Sequence, residues 1–326
     1  MKRIVEFEIL RVMALMAILL CHFLRAFGGC CQLDMALGTL GNLVFFIMSG
    51  WLLGLGWAYK GRPILGIGFL KHRFLRLLVP LWLVAGPYFI YLWVCHCPIP
   101  MKSIVLNLTL LNWFEKVPGM TAYWFITAIS VFYLCVVVFT RLFKLIPINN
   151  NAVFFIIVFV ACIQIIMELF HIGTGYIFTL MLGGMVAFIY GEILVKKIQE
   201  LTGSFKTMFF SGFTAVISFG VLWLGFKIGL YENGSSVAYW FGIIPALSMV
   251  VFVFSLKPNG ICNIIKKTSL ISFEIYLLHQ IVLELVMGKL LVHPMLSFIQ
   301  MLATCYCVAF LVNNISKRIL TSKFLR

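Results

Sequence analysis

Arg11 and His22 stand eleven residues apart in Phe7–Gly29, FEILRVMALMAILLCHFLRAFGG, a stretch that is otherwise almost wholly apolar. On a helix that spacing is about three turns, so the two side chains share one face, with His22 roughly 16 Å further along the axis. Glu8, Leu15, Ile18 and Arg25 fall near the same stripe. Glu8 lies one turn before Arg11 and can pair with it. A neutral imidazole in such a setting can take a proton from a hydroxyl and later give one to a leaving group. Plainer readings stand beside this one. Arg11 and Arg25 lie near the ends of the stretch, where long cationic side chains snorkel to the interface. His22 can simply bond another helix. Ionisable groups inside membranes tend to face cavities and serve function, which tilts His22 towards a site.

The second stretch with chemical potential is FLKHRFLRLLVPLW, Phe69–Trp82. Lys71, His72, Arg73 and Arg76 make a dense cationic cluster at a helix mouth. Arginine forks suit phosphate oxygens. Topology alone also explains the cluster, without any ligand. Pro80 follows, where a proline is tolerated early in a helix or kinks it. Upstream, LVFFIMSGWLLG (Leu43–Gly54) places Ser49 and Gly50 in an apolar helix, permitting close helix contact or a local break; packing is the plainer reading. His279 has Tyr276 one turn before it, and a structural hydrogen bond is favoured over a catalytic one. Glu168 and His171 lie one turn apart near a helix end, and Glu274 and Glu284 can pair with basic neighbours. Of the ten cysteines, Cys30, Cys31, Cys95 and Cys97 fall between helices on one side, where an oxidising compartment would allow a disulfide. Their spacing matches no standard zinc pattern, so no metal is expected.

The elements that must position these residues are membrane helices. The chain has 326 residues, of which 63% are hydrophobic and only 11% charged. Its mean hydropathy is +1.09. Soluble domains carry about twice that share of charge. Ten runs are long and apolar enough to span: Ile9–Gly28, Leu37–Ala58, Leu77–Cys95, Ala122–Thr140, Ala152–His171, Thr174–Leu194, Thr207–Leu230, Ser236–Leu256, Thr268–Leu291 and Pro294–Ile315. The fifth and sixth meet at Gly173 in a tight hairpin. The expectation is an all-α, polytopic integral membrane protein of about ten transmembrane helices. Residues 1–326 then form a single transmembrane domain with no separate soluble domain.

An even helix count puts both termini on one side. The termini and the loops after even-numbered helices hold 19 Lys and Arg, and the loops after odd-numbered helices hold 3 when Lys289, at the end of the ninth run, is counted with them. By the positive-inside rule both termini are cytoplasmic. That bias accounts for the net charge of +15 without nucleic acid. It also places a probe at Gly61 inside and one at Gln32 outside. A cleaved signal peptide is disfavoured, because its apolar core is normally shorter and free of charge.

Taken together, several of these motifs resemble the acyltransferase-3 family of multi-pass membrane proteins. Arg11 and His22 come first, then FFIMSG, then Arg73-Phe-Leu-Arg76 with Pro80. YWFITAISVFYL (Tyr123–Leu134) resembles the family's Trp-Phe…Tyr-Leu helix. SFEIYLLH (Ser272–His279) resembles its late helix with Ser, an aromatic, and Tyr-Leu-x-His. The resemblance covers essentially the whole chain. It implies acyl transfer, usually of acetyl, from coenzyme A in the cytoplasm to a hydroxyl of a surface or lipid-linked carbohydrate such as O-antigen, capsule or exopolysaccharide. It implies a bacterial inner-membrane location, acyl-CoA as co-substrate and no permanently bound cofactor. His22 takes the place of the family's essential histidine and Arg11 that of its partner. Arg73 and Arg76 stand at its Arg-x-x-Arg pair, and Glu8, Ser49, Tyr276 and His279 are candidate supporting residues. The chain departs from the family in two places. Trp51 stands where many members have Phe, and Ile129 stands near where some have Glu. A rival expectation is a transporter or flippase of a lipid-linked glycan, which would share the helices and a polar cavity. No repeated halves are visible to support it, and no P-loop for ATP.

Overall fold

The computed structural model describes residues 4–28, 32–60, 67–97, 99–143, 150–169, 175–191, 204–232, 235–256, 258, 262–286 and 293–321. Among the described residues there are helices and no strands. In chain order they are α1 (Val5–Ala26), α2 (Leu33–Lys60), α3 (Ile67–Val94), α4 (Met101–Leu108), a 3-10 turn (Thr121–Tyr123), α5 (Trp124–Phe143), α6 (Asn150–Leu169) and α7 (Tyr176–Ile189). There follow α8 (Phe205–Lys227), α9 (Ser236–Ser255), α10 (Asn263–Leu270), α11 (Ser272–Val286) and α12 (Pro294–Thr321).

Seven of these have the length and apolarity to cross a bilayer: Val5–Ala26, Leu33–Gly56, Ile67–Val94, Thr121–Arg141, Phe205–Lys227, Ser236–Ser255 and Pro294–Thr321. Asn263–Leu270 and Ser272–Leu285 make an eighth if taken as one span, with a bend of 75° at the break. Ile157–Met167 and Tyr176–Ile189 are apolar but shorter. The protein is therefore a multi-pass helical membrane protein. Each of the ten expected segments coincides with a helix, yet seven or eight spans, rather than ten, meet the length requirement among the described residues. Gly173 and the hairpin expected there lie outside them, as do Gly61, Cys30, Cys31 and His171.

Two differences from the sequence expectation bear on the site. First, α3 begins at Ile67, ten residues before the expected span, so Lys71–Arg76 sit on a helix and not in a loop. Hydropathy marks where a chain enters oil, whereas helical hydrogen bonding continues into water through good helix formers such as Leu, Lys and Arg. Pro80 and Pro87 are both accommodated inside this helix. Second, the segment expected to run unbroken from Thr268 to Leu291 is divided after Leu270, although no proline or glycine marks the place.

The chain forms two compact units, Met1–Ile64 with Val138–Ser269, and Leu65–Val137 with Leu270–Arg326. In the first, α2 is central and touches α1, α7, α8 and α9. Lipid tails are as apolar as leucine, so helices in a membrane associate by close approach rather than by hydrophobic exclusion. Small residues supply that approach here. A methyl group at Gly41 would stand 2.9 Å from the Ala14 carbonyl, and one at Gly38 would stand 3.0 Å from Cys21 Sγ. On the other side of α2, a methyl at Gly50 would stand 1.8 Å from the Gly184 carbonyl oxygen, and one at Gly54 2.3 Å from that of Phe188. The Ser49-Gly50 pair thus makes a helix contact, and α2 is continuous through it.

In the second unit α11 packs on α12, α3 and the 3-10 turn, while α3 also meets α12 and α4. The chain from Cys95 to Met120 carries the unforeseen α4 and is tied to its neighbours by polar contacts. Trp82 Nε1 donates to the Leu108 carbonyl at 2.7 Å, the Tyr88 hydroxyl to the Pro118 carbonyl at 3.1 Å, and Thr127 Oγ1 to the Leu110 carbonyl at 2.7 Å. Lys102 pairs with Glu115 at 2.7 Å.

Candidate functional site

The stripe on α1 follows the expected helical register. Glu8, Leu15 and Ile18 are buried, Arg11 and His22 are half-buried, and Arg25 is exposed. Arg11 Nη1 lies 3.4 Å from both the carbonyl oxygen and the hydroxyl of Ser269, near the end of α10. The last carbonyls of a helix have no partner within it. The Arg11 guanidinium supplies donors to that end, directly before the chain breaks. Nothing in the sequence links Arg11 to a serine 258 positions away.

Arg25 forms an ion pair with Asp34, Nε to Oδ2 at 3.0 Å; the side chains are 43% and 6% exposed. The sequence reading gave Arg25 an interfacial role and passed over Asp34. A lone acid at the start of a helix gave no signal, because its partner lies nine residues back across a turn.

The departure at Trp51 has a structural explanation. Its ring is 1% exposed, stacks on Phe254 at 5.0 Å and meets the edge of Phe7 at 5.0 Å. Its Nε1 donates to the Gly191 carbonyl at 2.9 Å, a bond phenylalanine cannot make. Phe7 precedes Glu8, so this aromatic group fixes the start of the α1 stripe. Ser49 is half-buried on the same helix as Trp51.

The other candidates belong to the second unit. Arg73 is half-buried on α3 and Arg76, one turn later, is exposed with Lys71 and His72. The Arg73 Cζ lies 5.4 Å from the ring centroid of Phe69 and 5.4 Å from that of Tyr133 on α5. Neither ring was singled out from sequence, although Tyr133 belongs to the Trp-Phe…Tyr-Leu stretch. Tyr276 and His279 do come together. His279 Nδ1 lies 2.5 Å from the Tyr276 carbonyl oxygen, and their rings are 5.4 Å apart. The Tyr276 hydroxyl donates to the Ala122 carbonyl, and the Tyr123 hydroxyl donates to the Leu277 carbonyl at 2.5 Å. Gln280 Oε1 accepts from the Ala122 amide at 2.5 Å and from Thr121 Oγ1 at 3.1 Å. His279 is fully buried within this polar seam, which fastens α11 to the 3-10 turn. The seam satisfies backbone groups where the turn departs from α-helical bonding, and that is a structural task. Glu274 is buried on the same helix and Glu284 exposed. Cys95 and Cys97 are exposed free thiols.

An all-helical membrane chain, with an arginine and a histidine on one face of its first helix and an arginine pair at the start of its third, defines a multi-pass membrane protein with ionisable groups set among its helices. Residues 4–314 match the family model described as an acyltransferase domain. The chain belongs to the acyltransferase-3 family, and its class is that of a membrane acyltransferase. No curated protein and no solved structure matches it.

Proposed function

We propose that this protein transfers an acyl group, acetyl in the simplest case, from cytoplasmic acyl-CoA to a hydroxyl of a cell-surface or lipid-linked carbohydrate. The observation that carries the reading is the Arg11–His22 stripe on a helix with few other polar groups, in a chain matched to the family from residue 4 to residue 314. Membrane helices rarely hold such groups without a task for them. In this reading His22 accepts the proton of the attacking hydroxyl. The sugar oxygen bonds to the thioester carbon, the carbon–sulfur bond breaks, and the proton returns to the departing thiolate. A relay through transiently acylated His22 reaches the same products. Arg11 orients the donor from the same face, while Glu8 and Ser49 support that helix pair. Arg73 and Arg76 hold the phosphates of coenzyme A, and Tyr276 and His279 hold α11 in place. Coenzyme A enters and leaves as a substrate.

The proposed topology has ten membrane passages with both termini cytoplasmic. It places the Arg73 end of α3 at the inner surface and His22 in the outer half of the bilayer. The donor then stays in the cytoplasm while the acceptor arrives from outside. Sealed vesicles of known orientation test both parts. Labelled acetyl-CoA added at the cytoplasmic face should place label on glycan at the opposite face, and His22→Ala should abolish it while the protein stays in the membrane. Turnover retained by His22→Ala would remove the histidine from the chemistry. Label confined to cytoplasmic-face glycan would refute the transmembrane route, and glycan crossing without acylation would identify a transporter.

A further inference from the structure

Arg73 is held differently from Arg11 and Arg25. A guanidinium is flat, with five N–H groups spread around its edge and two weakly hydrated faces. Arg25 gives its Nε–H to Asp34, and Arg11 directs Nη1 at Ser269. Arg73 has two aromatic neighbours, Phe69 one turn earlier on α3 and Tyr133 on α5, each with its ring centroid 5.4 Å from Cζ. Among the described residues no carboxylate, hydroxyl or carbonyl takes its N–H groups. Aromatic rings attract the cation through their quadrupole and accept none of its in-plane hydrogen bonds. Their effect is to immobilise a long side chain while its donors stay uncommitted. Tyr133 is itself 9% exposed, so its ring is fixed by the packing around α5. An oriented guanidinium with an unspent donor edge fits an anion with several oxygens on one atom, which is the chemistry of a phosphate.

We infer that Phe69 and Tyr133 are positioning residues for anion binding: the two rings hold the Arg73 guanidinium so that its N–H fork meets a phosphate of the acyl donor. The inference rests on the proposed reading that Arg73 binds coenzyme A. It goes further by assigning a role to the tyrosine of the Tyr123–Leu134 stretch and to a phenylalanine that no motif marks. Tyr133 acts through its ring and not through its hydroxyl. Substituting phenylalanine should therefore preserve binding, whereas an aliphatic side chain of similar bulk should not.

Calorimetry with coenzyme A and the detergent-purified full chain tests this in a double-mutant cycle. Tyr133→Leu and Phe69→Leu should each weaken binding roughly fivefold to tenfold, with Tyr133→Phe within about twofold of the wild type. Tyr133→Leu should add nothing to Arg73→Ala, because a ring that acts by orienting the guanidinium has no effect once the guanidinium is gone. Phe69 is half-buried, so Phe69→Leu keeps the test open if the buried Tyr133 variant folds poorly. If Arg73→Ala weakens binding but Tyr133→Leu and Phe69→Leu act equally in both backgrounds, the positioning role is overturned and the phosphate role stands. If Arg73→Ala leaves the affinity unchanged, the phosphate role falls and the positioning role falls with it.

Discussion

Replacing Gly50 by alanine adds one methyl group to a 326-residue chain, and it should damage the protein more than that size suggests. The new carbon would stand 1.8 Å from the Gly184 carbonyl oxygen, while ordinary contact begins at 3.4 Å. Backbone opposes backbone there, so no side chain can rotate away. The α2–α7 seam must open by about 1.5 Å, and a gap of about 1 Å already forfeits up to half of a contact's dispersion energy. Overpacking of this kind costs about 1–3 kcal/mol, and more where the backbone itself must move. Gly54→Ala should behave alike, since its methyl would stand 2.3 Å from the Phe188 carbonyl oxygen. Gly56→Ala is the control. It lies on the same helix, and a methyl there meets nothing within 4 Å. Alanine is the better helix former by about 1 kcal/mol, so Gly56→Ala should be neutral or slightly stabilising. The assay is survival of the monodisperse detergent-solubilised protein after heating, read by size-exclusion chromatography. Gly50→Ala melting at or above Gly56→Ala would refute the argument that α2 and α7 are held by backbone approach.

Two further outcomes follow from named contacts. Trp51→Phe keeps an aromatic ring against Phe7 and Phe254 but leaves the Gly191 carbonyl without its donor, so thermal stability should fall by about 1 kcal/mol; an unchanged melting point would show that the indole N–H contributes nothing. Arg25→Ala and Asp34→Ala should be non-additive by about 0.5–1 kcal/mol in a double-mutant cycle, a modest coupling because the arginine side chain is partly open to solvent; strict additivity would make the 3.0 Å contact energetically idle.

Periodicity and hydropathy carried most of the fold. Each apolar run read from the sequence is helical over most of its described residues, because in a bilayer the backbone of a spanning segment must satisfy itself. The helical register of Arg11 and His22 was legible for the same reason. Three features were not. The charged start of α3 looked like a loop, since hydropathy reports the solvent and not the hydrogen bonding. The break after Leu270 has no proline or glycine to announce it. α4 is eight residues long, too short for its pattern to stand out. At the candidate site, residue type was readable and partnership was not. Arg11 with Ser269, Arg25 with Asp34, and Arg73 with Tyr133 depend on which helices pack side by side. Phe69 lies one turn before Arg73 on α3, a spacing the sequence does show, but nothing marks it as the partner.

The three arginines show why partnership decides what such groups can do. Each sits on an apolar helix, where a charge without compensation is costly. Arg25 is compensated by a carboxylate, which balances its charge through a single Nε contact at 3.0 Å. Arg11 is turned to the carbonyl and hydroxyl of Ser269, 258 residues away, which ties the α1 stripe to the end of α10. Arg73 is compensated by two rings, which leave both the charge and the donor edge available. The three therefore differ in what holds them: a carboxylate for Arg25, a serine at a helix end for Arg11 and two aromatic rings for Arg73. Sequence spacing could not have assigned those partners, because all three are the same residue on much the same kind of apolar helix.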